Sequence, residues 1–454
     1  MTTHDVLVVG AGPAGTAVAY QLRDSGLDVV LLEATGEVGG RTRSVVLPGG
    51  RANTGALFVY RGTPSEHLAT ELDLPTVPFR PETYGIAMDG VTAVGADPAT
   101  VVAGLPLGAD DADALLTALQ DAIADYRVYT SGGSLGSESS SLAEQTVADR
   151  LRALPDGART VLETAVRGGS VGRPEDLNAQ YALRYFASYP ALEQNNRLLL
   201  VGGMQALSTG MAERLPVGTL RVATRVHEVQ QEDDGTYAVT AEGPDGADVF
   251  LARQVVLAVP APLVPGLLPE LPAEKRAALA TARTPGSTTM VVAADVSGLE
   301  EHRDWAFVTT VGSAFDCIIN PVPGPQSFRP QPPGQEIVHY VCYGNSAGYR
   351  PDLATDLAEH SSARDAWIED FLTVAPRLRG RIRGVHVQTW EHCFAVLSPE
   401  RAKAVEELRR AVGGVHFAGD WTSETAGTHG ALTEAHRVVE AVLATSATTG
   451  SSAK

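Results

Sequence analysis

The sequence predicts an α/β fold, in which a Rossmann-like dinucleotide-binding domain assembled from discontinuous segments is joined to an α+β substrate-binding domain. Three observations predict this fold: an apolar strand that turns through glycines into a helix, a later strand that ends in an acid, and a glycine-rich turn near the end of the 454-residue chain. The dinucleotide-binding domain is expected to comprise residues 1–80, 200–265 and 385–446. The substrate-binding domain is expected to comprise residues 81–199 and 266–384, followed by a disordered tail, 447–454.

The first segment has the pattern of a dinucleotide-binding turn. An apolar strand, Asp5 to Val9, runs directly into a turn that contains Gly12 and Gly15. Glycines at these positions admit the backbone to a pyrophosphate and allow the helix to pack closely on the strand. The helix predicted from about Pro13 to Ser25 then directs its N-terminal amides, including that of Ala14, at the phosphates.

Two further features extend this motif, and the second of them favours FAD as the cofactor over NAD. Glu33, followed by Ala34, ends the next strand about 20 residues on, where its carboxylate can accept hydrogen bonds from ribose hydroxyls. Gly39 and Gly40 admit the backbone to the diphosphate, and the Arg41 guanidinium can meet its oxygens in a bidentate way. For the arginine alone, a solvated side chain after a glycine loop would be the preferred interpretation.

Further motifs resemble those of one protein family over nearly the whole chain. They are Asn53–Phe58, Gly202–Met204, Val222–Val226, Val255–Pro260, Phe417–Asp420 and Gly427–Ala431. With the opening segment, they make the chain similar to the flavin-containing amine oxidase superfamily, which includes monoamine and polyamine oxidases and, more distantly, protoporphyrinogen oxidase and phytoene desaturase. The resemblance implies a monoamine oxidase-like two-domain fold with non-covalently bound FAD.

The resemblance also implies the remaining cofactor contacts. Gly55, Ala56 and Leu57 are expected to pass the isoalloxazine ring, and the backbone around Val226 is expected to meet the adenine. The closing motif contributes Gly419, Asp420, Gly430, Ala431 and Leu432, with aspartate at 420 in place of the more usual glutamate. Independently of the family, the glycine turn before Leu432 places a helix N-terminus beside the ring, where its amides stabilise negative charge that develops during reduction.

The intervening segments predict a mixed second domain. Its first part has helical patterns at about 109–126, 142–153, 156–166 and 176–188. Its second part reads as the strands Thr288–Ala294, Trp305–Thr310, Asp316–Asn320 and Ile337–Tyr343, followed by a helix, Ala363–Val374. The glycine- and serine-rich segment 131–141 and the proline-rich segment 321–334 are candidate lids, although disordered surface is the commoner meaning of such composition.

Composition and charge restrict the function. A formal net charge of −19 argues against nucleic acid and anionic membranes as partners, and no apolar run is long enough to span a bilayer. We therefore expect a cytoplasmic enzyme with a small-molecule substrate, for which a homodimer is a candidate assembly. No second GxGxxG follows a later strand, so a separate NADPH site is not expected and O2 is the expected electron acceptor. Cys317, Cys342 and Cys393 have no metal or disulfide spacing, so they are expected to be reduced and no metal is expected.

Departures from the family pattern indicate the kind of substrate. Many amine oxidases carry a lysine near the flavin on the strand corresponding to Ser287–Val292, and this chain has none there. Thr428, and Phe394 or Ala395, stand where an aromatic cage would be expected. A wide cavity for a bulky amine or amide is therefore expected. The chain further resembles biosynthetic members of the lankacidin-type amide oxidase and macrocyclase group, which implies oxidation and Mannich closure of a polyketide–peptide intermediate in antibiotic biosynthesis.

Three side chains are candidates for the chemistry. Glu66 is a candidate base, although a glutamate in a first helical turn usually only favours the helix. Tyr185, central in a stripe with Tyr181 and Tyr189, is a candidate hydrogen-bond donor, although such stripes are more often core. Arg329 can polarise a carbonyl from the proline-rich segment, with a solvated loop arginine as the alternative. Weaker pocket candidates, for each of which a structural role is the commoner interpretation, are His392, Cys393 and His429.

Two alternatives to an FAD oxidase acting on a C–N bond stay open. A carbon–carbon desaturase of the protoporphyrinogen oxidase or phytoene desaturase type is favoured by the missing lysine and cage, and predicts dehydrogenation of substrates without an oxidisable nitrogen. A non-enzymatic flavin-binding scaffold would keep the cofactor but show no substrate-dependent bleaching. The helix end directed at the ring disfavours the scaffold.

Overall fold

The computed structural model describes residues 2–79, 83–130, 140–186, 196–299, 305–321, 336–345, 349–350 and 362–451. In these ranges, two large sheets and their flanking helices form the protein. The strands are β1 (Thr3–Val9), β2 (Val29–Leu32), β3 (Ser44–Leu47), β4 (Gly50–Asn53), β5 (Val59–Tyr60), β6 (Thr76–Pro78), β7 (Tyr84–Met88), β8 (Val91–Gly95), β9 (Arg197–Leu200), β10 (Leu220–Arg221), β11 (Arg225–Gln231), β12 (Tyr237–Gly243), β13 (Gly246–Leu257), β14 (Ser287–Asp295), β15 (Phe307–Thr310), β16 (Cys317–Ile319), β17 (Ile337–Asn345), β18 (Ile382–Trp390) and β19 (Val415–Phe417). The helices are α1 (Pro13–Leu22), α2 (Pro64–Glu71), α3 (Pro98–Ala103), α4 (Ala109–Thr130), α5 (Val147–Leu151), α6 (Asp156–Ser170), α7 (Ala179–Phe186), α8 (Gln205–Ala212), α9 (Val264–Leu267), α10 (Ala273–Thr281), α11 (Ser362–Val374), α12 (Pro399–Arg409) and α13 (Gly427–Ser451).

The first sheet is parallel where it carries the glycine turn. Its order is β10-β2-β1-β13-β12-β11, with β19 paired to β13. β1 pairs in parallel with β2 and with β13, whereas β11, β12 and β13 form an antiparallel meander. The sheet therefore unites strands from the beginning, the middle and the end of the chain.

Helices cover both faces of the first sheet, which explains why β1 is apolar at successive positions. Val6 and Val8 pack in one buried cluster with α1 and α13, and Leu7 and Val9 pack in another with α9 and α10. A parallel strand buried on both faces is expected to be continuously apolar. The fold class predicted from the sequence is confirmed.

The second sheet has the order β18-β14-β17-β16-β15-β7-β8. At its centre, β14 is almost wholly buried between β17 and β18. Met290 and Val292 point into a cluster that α11 closes. The alternate residues of β14, among them Ser287 and Thr289, therefore point to the other face of the sheet. The loop that carries Gly55 and the end of β18 lie on that side.

Several bounds differ from those expected. α1 ends at Leu22 rather than near Ser25, because the Ser25 amide and hydroxyl both bond the Leu22 carbonyl. The expected boundary at residue 385 falls inside β18, which pairs along its length with β14 and so belongs to the second sheet. The division into domains otherwise stays a prediction.

The C-terminal helix is also longer than expected. α13 runs to Ser451, whereas disorder was expected from residue 447. Thr445 and Ser446 bond back to the carbonyls of Ala441 and Val442, and Gln254 donates to both Val442 and Ser446. These bonds carry the helix past the expected end, and residues 452–454 lie outside the described ranges.

Candidate active site

The first turn of α1 is shaped to receive a diphosphate. Gly12 is the N-cap, and no side chain caps the helix there. A Cβ on Gly15 would lie 1.8 Å from the Gly10 carbonyl oxygen, whereas a Cβ on Gly12 would meet no atom within 4 Å. A Cβ on Gly40 would come within 3.3 Å of the Gly12 Cα. Glycine backbone thus borders an open space in front of the Ala14 and Gly15 amides, which fits the diphosphate of FAD.

Glu33 is fixed at the tip of β2. Its carboxylate accepts hydrogen bonds from the Ala11 amide at 2.8 Å and from the Thr35 amide and hydroxyl at 2.9 and 2.8 Å. The Glu33 and Thr35 carbonyls accept from the turn between β10 and β11. Buried Val226 follows this turn. Glu33, Ala34 and Val226 therefore border one space beside the glycine turn of α1, which we call the glycine cradle, as expected for the ribose and adenine.

Arg41 is engaged differently from the expectation. Its guanidinium pairs with Asp420 at 2.9 Å between Nη2 and Oδ1, and it also donates to the Cys393 carbonyl. Asp420 accepts in addition from the Ala395 amide at 3.0 Å. This ion pair joins the opening loop to the closing turn, and the predicted bidentate contact between Arg41 and the diphosphate stays a prediction.

The segment expected to pass the flavin ring is held from two sides. The Tyr343 hydroxyl donates to the Gly55 carbonyl at 2.7 Å, and the Trp390 indole donates to the Thr54 carbonyl at 2.9 Å. A Cβ on Gly55 would lie 2.1 Å from the Arg41 carbonyl oxygen, so only glycine fits. Ala56 donates to that same oxygen, and Leu57 is buried.

The closing turn is held by Arg401, which the sequence analysis missed. This fully buried guanidinium donates to the backbone carbonyls of Asp420, Trp421 and Ser423. Arg401 lies in α12, where an arginine gives no sequence signal that it points inward. The turn leads to α13, in which a Cβ on Gly430 would lie 1.8 Å from the Thr425 carbonyl oxygen.

α13 begins where the sequence placed a helix N-terminus. Gly427 opens it with a φ of 86°, a conformation that favours glycine. Ala431 and Leu432 pack into the cluster shared with α1, and Gly419 lies on the turn before Asp420. Arg41, next to the loop that carries Gly55, is paired with Asp420 on the turn that leads into α13. This pair therefore keeps the positive end of the helix close to that loop.

Titratable side chains near these segments line an enclosed space. Tyr185, Tyr343 and Cys393 are half-buried, yet burial raises the pKa of both tyrosines well above the usual value and raises that of Cys393 to about 11. Burial, followed by the charge of Arg184, lowers the pKa of His429 to about 4. These half-buried side chains lie within one another's electrostatic reach, directly or through shared neighbours, and we interpret the space that they share as the candidate substrate cavity.

The three catalytic candidates lie in different situations. Tyr185 is on α7, its ring against the Gly169 backbone and 5.8 Å from the Tyr181 ring. Glu66, in the first turn of α2, accepts from the Gly62 amide at 2.7 Å, which is the helix-favouring role. Its catalytic role stays a prediction. Arg329 lies outside the described residues, as do Tyr189 and most of the segments 131–141 and 321–334.

The strand without a lysine presents a hydroxyl instead. Thr289 pairs with Tyr343 on one side and with Gln388 on the other, so the three side chains share the face that looks towards Gly55. Thr289 is 1% exposed, and its hydroxyl has no hydrogen-bond partner among the residues that the structure describes. Apart from the missing lysine, residue type does not indicate this buried hydroxyl.

Metal sites and membrane spans are two further kinds of feature. Within the described ranges, His, Cys, Asp and Glu side chains do not gather in groups of three or more suited to a metal ion. None of the helices in the described part of the chain combines the length and apolarity that a membrane span requires. The expected location and homodimeric assembly stay predictions.

The glycine turn at the start of α1 and the acid fixed at the tip of β2 define a dinucleotide-binding protein, and the two large sheets give it a two-domain fold. The chain belongs to the flavin containing amine oxidoreductase family, whose model matches residues 13–443. FAD is therefore its cofactor, as the sequence predicted.

Solved structures and curated relatives agree with this placement. The chain is similar to cyclohexylamine oxidase from Brevibacterium oxydans IH-35A, with a TM-score of 0.72 and 18% identity over 97% of this chain and 99% of that one. It is similar to putrescine oxidase bound to putrescine, with a TM-score of 0.70 and 18% identity over 98% and 99% of the two chains. It is 40% identical over 82 residues to hydroxyneurosporene desaturase of Rhodobacter capsulatus, covering 16% of this chain and 17% of that protein. The chain thus spans under one fifth of the first curated relatives it matches.

Proposed function

We propose that the protein is an FAD-dependent oxidase that oxidises a C–N bond of a bulky amine or amide. The carbon bonded to nitrogen loses a hydride to give an imine or iminium, and O2 reoxidises the cofactor. The observation that carries the proposal is the enclosed polar and aromatic lining beside Gly55 and the first turn of α13. When bound, FAD supplies the hydride acceptor. The family, and neighbours that oxidise amines by name, support a C–N bond as the target.

In this proposal the residues of the chain position the substrate and exclude water. Tyr343 fixes the Gly55 carbonyl, and the high pKa of Tyr185 keeps its hydroxyl protonated as a hydrogen-bond donor. A neutral nitrogen releases hydride from the adjacent carbon most readily, so positioning supplies much of the rate. An amide needs in addition a base at nitrogen or a donor at its carbonyl oxygen.

We propose Glu66 for the base and Arg329 for the carbonyl donor. Glu66→Gln keeps the size of the side chain and an acceptor for the Gly62 amide. A base of this kind contributes about 100-fold to the rate, so flavin reduction is expected to slow by that factor with little change in the unfolding temperature. Asp97→Asn is the control, since Asp97 caps α3 in a comparable way. An unchanged rate in Glu66→Gln would leave the residue only its helix-favouring role.

The proposal extends to a biosynthetic role, in which the iminium carbon is attacked by an acidic carbon of the same polyketide–peptide intermediate. The attacking carbon loses its proton and forms the new C–C bond, while the C=N electron pair returns to nitrogen. The lining of β14 supports this extension, because Ser287 and Thr289 offer no ammonium to hold a hydrolytic water. An imine that is hydrolysed slowly survives long enough for ring closure.

The proposal is tested by anaerobic mixing of the holoprotein with amines, amides and polyketide–peptide intermediates, following flavin absorbance and product mass together. Flavin bleaching with loss of 2 Da, or a ring-closed product, is the expected result, and Gln120→Ala on the surface of α4 is a matched control. Release of ammonia and an aldehyde would restrict the function to ordinary amine oxidation. Holoprotein that no nitrogen compound bleaches would contradict the proposal.

A second candidate function is a carbon–carbon desaturase. It is favoured by the local match to hydroxyneurosporene desaturase and by the absence of lysine from β14. It predicts bleaching by polycyclic or polyene substrates that lack an oxidisable nitrogen. The same anaerobic assay with such compounds separates the two functions.

A further inference from the structure

The cavity contains a histidine that the proposed function does not use. The His429 ring, in the first turn of α13, meets the Tyr60 ring edge-on, with 5.3 Å between centroids. Across the ranges that the structure describes, neither nitrogen of this ring has a hydrogen-bond partner. The imidazole is half-buried, and packing rather than hydrogen bonding holds it. Both nitrogens are therefore available to a ligand in the cavity.

The surroundings of His429 are cationic and aromatic. Arg184 lies over the Tyr181 ring at 4.2 Å and donates to its hydroxyl at 3.3 Å. Burial and the nearby Arg184 charge lower the pKa of His429 to about 4, so the imidazole is neutral at physiological pH. Tyr60 and Tyr185 lie within the electrostatic reach of the same guanidinium.

These groups suit an oxygen atom better than an ammonium group. A neutral imidazole offers one N–H donor and one acceptor nitrogen, and a guanidinium offers only donors. The positive end of α13 adds to the positive potential at His429. A carbonyl oxygen is stabilised by such donors, whereas an alkylammonium is repelled by the nearby Arg184 charge.

We infer that His429 binds an uncharged carbonyl group of the substrate, that of an amide or ketone, and that Arg184 disfavours alkylammonium compounds at this place. The inference rests on the proposed function in taking the cavity as the substrate site, and it adds the substrate class. It also accounts for the departure from the aromatic cage at Thr428, since a cage for a cationic amine would serve no purpose beside Arg184.

Calorimetric titration of the oxidised holoprotein with two probes tests the inference. N-benzylacetamide carries a neutral amide, and benzylamine carries an ammonium on the same aromatic group. N-benzylacetamide is expected to bind more tightly to the unsubstituted protein, and His429→Phe is expected to weaken it about tenfold, as for one lost hydrogen bond. His429→Asn keeps a donor and an acceptor and is expected to lose less. Benzylamine binding is expected to change less than N-benzylacetamide binding in both variants.

His436→Asn is the matched control, because His436 lies on the same helix with an exposed side chain that contacts Gln21 and Glu440. Flavin content and unfolding temperature show whether a variant is folded. Benzylamine binding at least as tight as N-benzylacetamide, no detectable N-benzylacetamide binding, or equal N-benzylacetamide affinity in His429→Phe would overturn the inference. Binding to the oxidised protein needs no turnover, so a failure of the oxidase proposal would appear separately, as holoprotein that binds the amide but is never bleached.

Discussion

Alanine at Gly15 and at Gly12 separates the two physical reasons for glycine in the turn before α1. The Gly15 Cβ would lie 1.8 Å from a backbone oxygen of Gly10, which cannot rotate away. The Gly12 Cβ would meet no protein atom within 4 Å and would enter the space assigned to the diphosphate. Gly15→Ala therefore strains the protein itself, and Gly12→Ala obstructs only the cofactor.

The magnitudes follow from these distances. For Gly15→Ala the contact must open from 1.8 Å to at least 3.0 Å, the shortest that real Cβ atoms show. Forced displacement of packed elements costs about 1–3 kcal/mol, so the FAD-free protein should unfold at lower temperature. Gly12→Ala should leave that temperature unchanged and weaken FAD binding by about 2 kcal/mol, which is roughly 30-fold in Kd.

Deflavinated protein is titrated with FAD while the quenching of flavin fluorescence is followed, and unfolding is measured with and without the cofactor. Gly266→Ala is the control, because its Cβ also meets nothing within 4 Å and it lies on a helix away from the cradle. Unaltered FAD affinity in Gly12→Ala, or an unaltered unfolding temperature of FAD-free Gly15→Ala, would refute the reasoning.

Three further outcomes are expected. Acid precipitation should release FAD into the supernatant, and Cys393→Ser should keep its flavin, since a thiol with a pKa of about 11 stays protonated; a yellow pellet would contradict non-covalent binding. Asp420→Asn should lower the free energy of unfolding by about 3 kcal/mol, because Arg41 loses the carboxylate of a buried aspartate, while the surface substitution Asp110→Asn should not; urea unfolding compares them. Burial lowers the pKa of His416 and His429 to about 4, below the unfolded value near 6.5. The stability that each neutral histidine contributes is therefore fully present above pH 6.5 and is lost as the pH falls towards 4. Urea unfolding should show a loss of about 1 kcal/mol per histidine between pH 7.5 and 5.5, and His416→Gln should remove its share; equal slopes in both proteins would argue against this linkage.

The sequence predicts the cofactor half of the molecule because backbone sterics determine it. Gly15 and Gly55 are places where only hydrogen fits, and such requirements are written directly in residue type. The apolar run of β1 likewise reports burial on both faces. These signals are local, so a single sequence suffices to read them.

The cavity is harder to predict because its contacts join distant parts of the chain. Arg41 pairs with Asp420, and Arg401 donates to three carbonyls of the closing turn. The local sequence around either arginine does not distinguish it from an arginine exposed to solvent. For Glu66 the position in a first helical turn already indicates the contact with the Gly62 amide that the structure shows, while its catalytic role stays a prediction. His429 is a weak pocket candidate from its sequence, because only the three-dimensional structure shows its ring without a hydrogen-bond partner among the described residues.

The way the first sheet is assembled has a consequence for biogenesis. A nascent chain emerges from the ribosome with its glycine turn first, but β1 gains its second neighbour only when β13 has been translated. The ion pair of Arg41 forms still later, because it requires that Asp420 has left the exit tunnel. Capture of the yellow cofactor thus waits for the closing turn, and fragments stalled before Asp420 would stay colourless although they carry the recognition turn intact.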